Sequence, residues 1–178
     1  RFPQTSVSVY LAPPKELPLL VKNQAVDVAY GLMPAPENEG YQWFRWLADV
    51  RMMTVVGPEH ALNQLPQVLQ DDLMDHTQVT LAYMDNGQLV AEAVETDNFL
   101  AFTQYELMCD AVLSGVGWAD LPFPLIADDL RQGRLKLVRH RSAQWWKIYA
   151  ALESERIQGG AVVSWLGTQL EAYLADLA

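Results

Sequence analysis

Apolar positions along the chain switch between a period of two and a period near three and a half, and the switches mark out the elements. Val7-Ser8-Val9-Tyr10 alternates and is rich in β-formers, which predicts a strand closed by Pro13-Pro14. From about Lys15 a helix is expected, with Leu17, Leu20 and Val21 on one face. Pro18 is compatible with it, because first-turn N–H groups have no intrahelical partner to lose. Val26-Asp27-Val28-Ala29-Tyr30 predicts a second strand, ending at Gly31, and a loop rich in Pro and Glu from Met33 to Gly40 leads to Trp43-Phe44-Arg45-Trp46-Leu47. Met52-Met53-Thr54-Val55-Val56 is nearly continuous in apolar residues, as in a strand buried on both faces, and Gly57-Pro58 closes it.

A short helix is expected around Leu69 to Leu73, and a strand over Val79 to Tyr83 that ends at the turn signal Asp85-Asn86-Gly87. Ala91 to Thr96 reads as extended. Asp97 can cap a helix reaching Ser114, with Phe99, Phe102, Leu107, Ala111 and Val112 towards the core and Gly115 at its end. Strands follow at Val116 to Leu121, Leu135 to Val138 and Lys147 to Leu152, with a short helix over Ile126 to Gln132. Gly159-Gly160 opens a last amphipathic helix with Val163, Leu166, Leu170, Tyr173, Leu174 and Leu177 in register. Strands alternating with helices predict an α/β fold with mostly parallel sheets. The sequence shows no internal repeat.

Composition narrows the classes. With 178 residues, 51% of them hydrophobic, the chain can bury a core as one domain or two small lobes. No apolar run reaches the roughly 18–20 residues of a membrane span, and no apolar segment follows Arg1-Phe2-Pro3-Gln4 as it would in a signal peptide. The formal charge is −10, with 12 basic against 22 acidic residues. That balance argues against direct binding to nucleic acid, which needs clustered cations. The densest basic stretch, Arg131, Arg134, Lys136, Arg139 and Arg141, reads as a solvated face. Cys109 is the one cysteine, so there is no disulfide framework or Cys-based zinc site, which fits a reducing compartment.

Catalytic chemistry finds no foothold. His60, His76 and His140 are isolated and lack a metal-ligand spacing. Ser114, Ser142 and Ser164 have no nucleophile-elbow context. Asp71-Asp72 and Asp128-Asp129 are adjacent pairs that point apart on a helix and read as solvated. Gly115-x-Gly117 lacks the remaining residues of a phosphate loop. Met52-Met53 reads as core strand, and Trp145-Trp146 as the start of a strand with one ring packed inward. We expect no enzyme, no metal and no cofactor.

Several segments resemble LysR-type transcriptional regulators in the family's own order. Val26-Asp27-Val28-Ala29-Tyr30 is similar to a strand of their regulatory domains, and Val55-Val56-Gly57-Pro58-Glu59-His60-Ala61-Leu62 to their crossover segment, with Ala61 where proline is usual. Leu69-Gln70-Asp71-Asp72-Leu73 resembles a third piece. The run from Ala111 through Gly115-Val116-Gly117 to Leu121-Pro122, with Gly133-Arg134-Leu135 after it, resembles two more. The resemblance covers nearly the whole chain and implies a two-lobed α/β fold of the periplasmic-binding-protein type 2 kind, with a ligand cleft between lobes. Lobe I would be 1–57 plus 139–178 and lobe II 58–138, with hinges near Val55–Gly57 and Val138–Arg141. Relative to the family, a first strand and helix before Phe2-Pro3 and the winged helix-turn-helix are not in this sequence.

The resemblance further implies an effector-sensing, homodimeric or tetrameric, cytoplasmic domain, reaching DNA only through an N-terminal domain. The cleft would be lined by Pro13, Pro14, Gly31, Leu32, Tyr83, Met84, Phe102, Gln104 and Trp118. Some family members carry polar or basic side chains where Pro14 and Leu32 stand, so an apolar or aromatic effector is expected. For Trp118 and Tyr83, ordinary packing is the competing reading. A secreted solute-binding protein of a transporter shares the architecture and is the alternative function. An enzyme would need a convergent acid and base, and the sequence offers no such pair.

Overall fold

The computed structural model describes residues 2–33, 44–139, 145–157 and 160–176. The Pro- and Glu-rich loop after Met33, and Trp43, His140, Arg141, Ser142, Gly159 and Leu177, lie outside the described residues. The chain divides into two compact units, Arg1–Asp49 with Lys147–Ala178, and Val50–Trp146. The expected limits were 57/58 and 138/139. The chain leaves the first unit inside one long strand and returns inside another, so a boundary drawn at Gly57-Pro58, where the strand ends, falls later than this division.

The first unit opens with a 3-10 turn, Pro14–Glu16, that runs into α1 (Leu17–Lys22). Prolines at the start of both pre-set φ without breaking a hydrogen bond. Strand β1 (Val28–Met33) pairs antiparallel with β8 (Trp145–Glu153), Val28 opposite Glu153 and Met33 opposite Ile148. Leu17 and Val21 of α1 pack on Ala29, Met33, Ala150 and Leu152 of these strands. Gly31 permits the approach: a Cβ there would meet Leu17 Cδ1 at 2.5 Å. Helix α5 (Ala161–Ala175) is tied down by Tyr30, whose hydroxyl donates to the Val163 carbonyl at 3.2 Å, and by Arg45, bonded to Glu171 at 2.8 Å. Arg45 lies in β2 (Phe44–Val56), the strand that continues into the second unit.

In the second unit β2 pairs antiparallel with β6 (Trp118–Pro122) and with the short β7 (Lys136–Leu137). Strand β3 (Gln78–Asp85) pairs in parallel with β5 (Phe99–Phe102) and with β6, and antiparallel with β4 (Gln88–Ala91). The hairpin turn between β3 and β4 has positive φ at Asn86 and Gly87, which suits the right-handed twist of paired strands. Helices α3 (Tyr105–Leu113) and α4 (Phe123–Arg131) cover a core of Val55, Val79, Leu81, Met108, Val112, Leu121 and Ile126. A second cluster, Val56, Leu62, Val68, Leu73 and Trp118, lies beneath a 3-10 turn (Ala61–Gln64) and α2 (Gln70–Met74).

Three expectations need correction. Val7–Tyr10 is not a strand. Val7, Val9 and Tyr10 are 69%, 83% and 68% exposed, and no described strand pairs with them, so their β preference goes unused. Phe99–Phe102 is a strand rather than the first turn of a helix, because its backbone pairs with Gln78–Leu81; α3 starts only after Gln104, which is extended. The sheets are mixed rather than mostly parallel: β3 pairs in parallel with β5 and β6, while β1 with β8, β2 with β6 and β3 with β4 are antiparallel.

Candidate functional site

In the first unit the proposed lining residues come from one corner. Pro13 is buried and caps the 3-10 turn, Pro14 is half-buried within it, and that turn packs against β1. Gly31 and Leu32 were expected in a loop after the strand. They instead lie inside β1, opposite Ala150 and Tyr149, because the ladder to β8 continues to Met33. Leu32 is 6% exposed, so its side chain offers little surface.

In the second unit Phe102 ends β5 and packs against the core, and Gln104 caps α3 with no side-chain hydrogen bond to its own helix. Leu81 is the parallel partner of Phe102, so Tyr83 lies just beyond the carboxyl end of β5. That end, where strand turns into helix, is where open α/β sheets hold ligands. Tyr83 was expected to end its strand and Met84 to follow it, but β3 runs on to Asp85 and pairs the two with Val90 and Leu89. Neighbouring strand residues face opposite ways, so the two cannot line one surface together. Met84 is exposed and Tyr83 half-buried.

Trp118 does not belong to this surface. It is 0% exposed, its indole N–H donates to the Leu73 carbonyl at 3.1 Å, and it packs in the Val56–Leu73 cluster. Its placement follows from Gly117, where a Cβ would lie 2.0 Å from the Thr77 carbonyl oxygen; that closeness lets the Trp118 N–H donate to the same oxygen. Packing, the competing reading for this residue, is what the structure gives.

Polar groups that sequence reasoning passed over sit near α3. The Thr54 hydroxyl donates to Asp120 Oδ1 at 2.5 Å across the β2–β6 pair. Tyr105, the first residue of α3, has its phenol pushed far up by burial and then by the nearby charges of Glu92 and Asp120. An acid inside Trp-Ala-Asp-Leu-Pro was the available signal for Asp120. A second correction concerns Asp128-Asp129. Asp128 is exposed and bonded to Arg131, but Asp129 is 8% exposed, accepts from Arg134 Nε at 2.6 Å and lies 4.0 Å from Cys109 Sγ. The pair fixes the turn from α4 to β7, and burial then Asp129 push the Cys109 thiol up to about 11. His60 and His76, isolated in sequence, have ring centroids 4.8 Å apart. Trp146 is 58% exposed and Met52 is core.

Chemically, the strand-end surface of the second unit offers aromatic rings and a side-chain amide. Such a set can hold and orient a small organic molecule. Among the described residues, no group of three His, Cys, Asp or Glu is placed to hold a metal ion. No helix among them is long and apolar enough to cross a membrane.

The family described as LysR substrate binding domain matches residues 1–173. The chain belongs to that family. Its fold is that of solved LysR regulatory domains, which are of the periplasmic-binding-protein type 2 kind. The regulatory domain of MetR from Neisseria meningitidis is 17% identical, with 99% of this chain and 84% of that chain covered and a TM-score of 0.70. The regulatory domain of Synechocystis CcmR, solved in complex with 2-PG, is 13% identical over 96% of this chain and 84% of that one, with a TM-score of 0.67. The effector-binding domain of a BenM variant is 17% identical over 98% and 84%, at a TM-score of 0.62. Among curated proteins no sequence matches. The chain is thus the effector-binding regulatory domain of a LysR-type transcriptional regulator, in a non-enzymatic family.

Proposed function

We propose that this LysR substrate-binding domain senses a small organic metabolite of apolar or aromatic character and passes its occupancy to an N-terminal winged helix-turn-helix. The observation that supports the site is the strand end itself: Phe102 closes β5, Gln104 precedes α3, and Tyr83 lies two residues past Leu81, the partner of Phe102. Pro13, Pro14, Gly31 and Leu32 are proposed as contacts from the first unit; Met84, on the opposite face of β3 from Tyr83, is left out of the contact set. Pro14 and Leu32 supply no charge or hydroxyl with which to hold an anion. CcmR with its bound 2-PG and the BenM effector-binding domain support the general role of a small effector. The regulator is proposed to be a cytoplasmic homodimer or tetramer that reaches DNA only through its N-terminal domain, since a net charge of −10 disfavours phosphate contact by this one.

A thermal-shift screen of metabolites tests the reading. A ligand at 100 times its Kd adds about 2.7 kcal/mol of stability, enough for a clear rise in Tm. Apolar and aromatic metabolites are expected among the hits, with the shift lost in Gln104→Ala and Phe102→Ala. Stabilisation by small inorganic anions alone would overturn the effector class proposed.

A further inference from the structure

His60 and His76 share no motif spacing, yet the fold sets their rings edge to face, 4.8 Å apart at 64°. Nδ1 of His60 accepts the Leu62 N–H at 3.3 Å, so the neutral ring carries its proton on Nε2. That tautomer leaves neither nitrogen free to ligate a metal. It does make His60 the N-cap of the 3-10 turn Ala61–Gln64. The turn carries Leu62, 2% exposed, into the cluster with Val56, Val68, Leu73 and Trp118. Asn63 Nδ2 holds the same loop through the carbonyls of Gly57 and Pro58.

His60 is half-buried, and its pKa is lowered by that burial first and by His76 second. The charged groups on the surrounding elements are few. Glu59 precedes His60 and is exposed; Asp75 precedes His76 and is exposed. On α2, Asp71 is exposed and Asp72 accepts the Leu69 N–H at 2.7 Å. Arg139 lies on the segment whose carbonyl accepts from Val68. Among the described residues, His76 is the titratable group that acts on His60.

We infer that His60 and His76 form an acid-released latch on the second unit: a proton on His60 takes its Nδ1 lone pair from the Leu62 amide and sets a cation against the second ring, freeing the turn Ala61–Gln64 from the core. The inference is independent of the effector reading. Its sign follows from the lowered pKa. The opened ring takes its proton near the ordinary 6.5 and the latched ring only at lower pH, so the latch is at full strength above 6.5 and is lost as pH falls below it.

The test follows the imidazole signals by NMR, and hydrogen exchange at the Leu62 amide, across about pH 5 to 8, where imidazole changes charge. In the wild-type chain His60 is expected to titrate below 6.5, and protection of Leu62 to fall several-fold as it does. His76→Gln is expected to move the His60 midpoint upwards. His60→Asn keeps an acceptor at the cap without a titrating ring, so Leu62 protection is expected to stay constant across the range. Equal loss of protection in His60→Asn, or a His60 midpoint unmoved by His76→Gln, would overturn the latch. If His60→Asn does not fold, the wild-type and His76→Gln titrations decide.

Discussion

At the scale of single residues, two positions carry more than their size suggests. Gly117 sits where any Cβ would lie 2.0 Å from a backbone oxygen, and backbone cannot swing aside as a side-chain tip can. Gly117→Ala is therefore expected to lose about 3 kcal/mol in urea unfolding, as a forced backbone shift in a packed site does; a loss below about 1 kcal/mol would show that β6 relaxes freely. Cys109 is the other. Its thiol is buried beside Asp129 and pushed up to about 11, so it holds little thiolate at neutral pH. Thiol reagents are expected to label it only on unfolding. The unfolded thiol ionises first, near 9.0, so its contribution to stability is full below that pH and is lost as pH rises towards 11. The sequence marked Gly115 as a helix end but not what requires glycine at Gly117. Gly115 has φ +80 at the end of α3, a local property readable from a helix-end pattern. The close approach of Gly117 to Thr77 depends on a residue distant in sequence, as does the placing of the locally paired Asp129 against Cys109.

At the scale of elements, α5 shows how one side chain can set a helix's composition. Gly167 lies mid-helix, where alanine would ordinarily gain roughly 0.5–1 kcal/mol. A Cβ there would meet Arg45 Nη1 at 2.8 Å, and that guanidinium is already held by Glu171. Gly167→Ala is expected to give no such gain alone and to recover it in an Arg45→Ala background. A double-mutant cycle of unfolding free energies reads the coupling; strict additivity would contradict it. The pattern starts α3 too early, at Asp97, and shows of β2 only the apolar run Met52–Val56, whereas β8 and α5 were legible from it. Phe99–Phe102 was not, since phenylalanines three apart fit a helix turn as well as a four-residue strand, and only pairing with β3 chooses. Strand direction was equally hidden: antiparallel partners of β1 and β2 lie more than 60 residues away in the chain.

At the scale of the whole molecule, ordered short motifs carried the family, while the site residues were harder to place. Phe102 and Gln104 fall where a strand ends and a helix begins, whereas their pattern puts both within one helix from Asp97. Gly31, Leu32, Tyr83 and Met84 lie within strands, because glycine and a change in polarity mark a strand end only when the ladder also stops. Trp118 was misjudged because a tryptophan after two glycines looks like a cleft residue, and its buried indole bond to Leu73 is invisible to spacing. With a charge of −10, the isolated chain is expected to show no measurable affinity for duplex DNA by fluorescence anisotropy at physiological salt. The most direct test of effector sensing is the electron density of this chain crystallised with the metabolite that raises its Tm most. The account predicts that metabolite against Phe102, Gln104 and Tyr83, with Pro13, Pro14, Gly31 or Leu32 also in contact. Density for it elsewhere on the protein, with these residues untouched, would contradict the account.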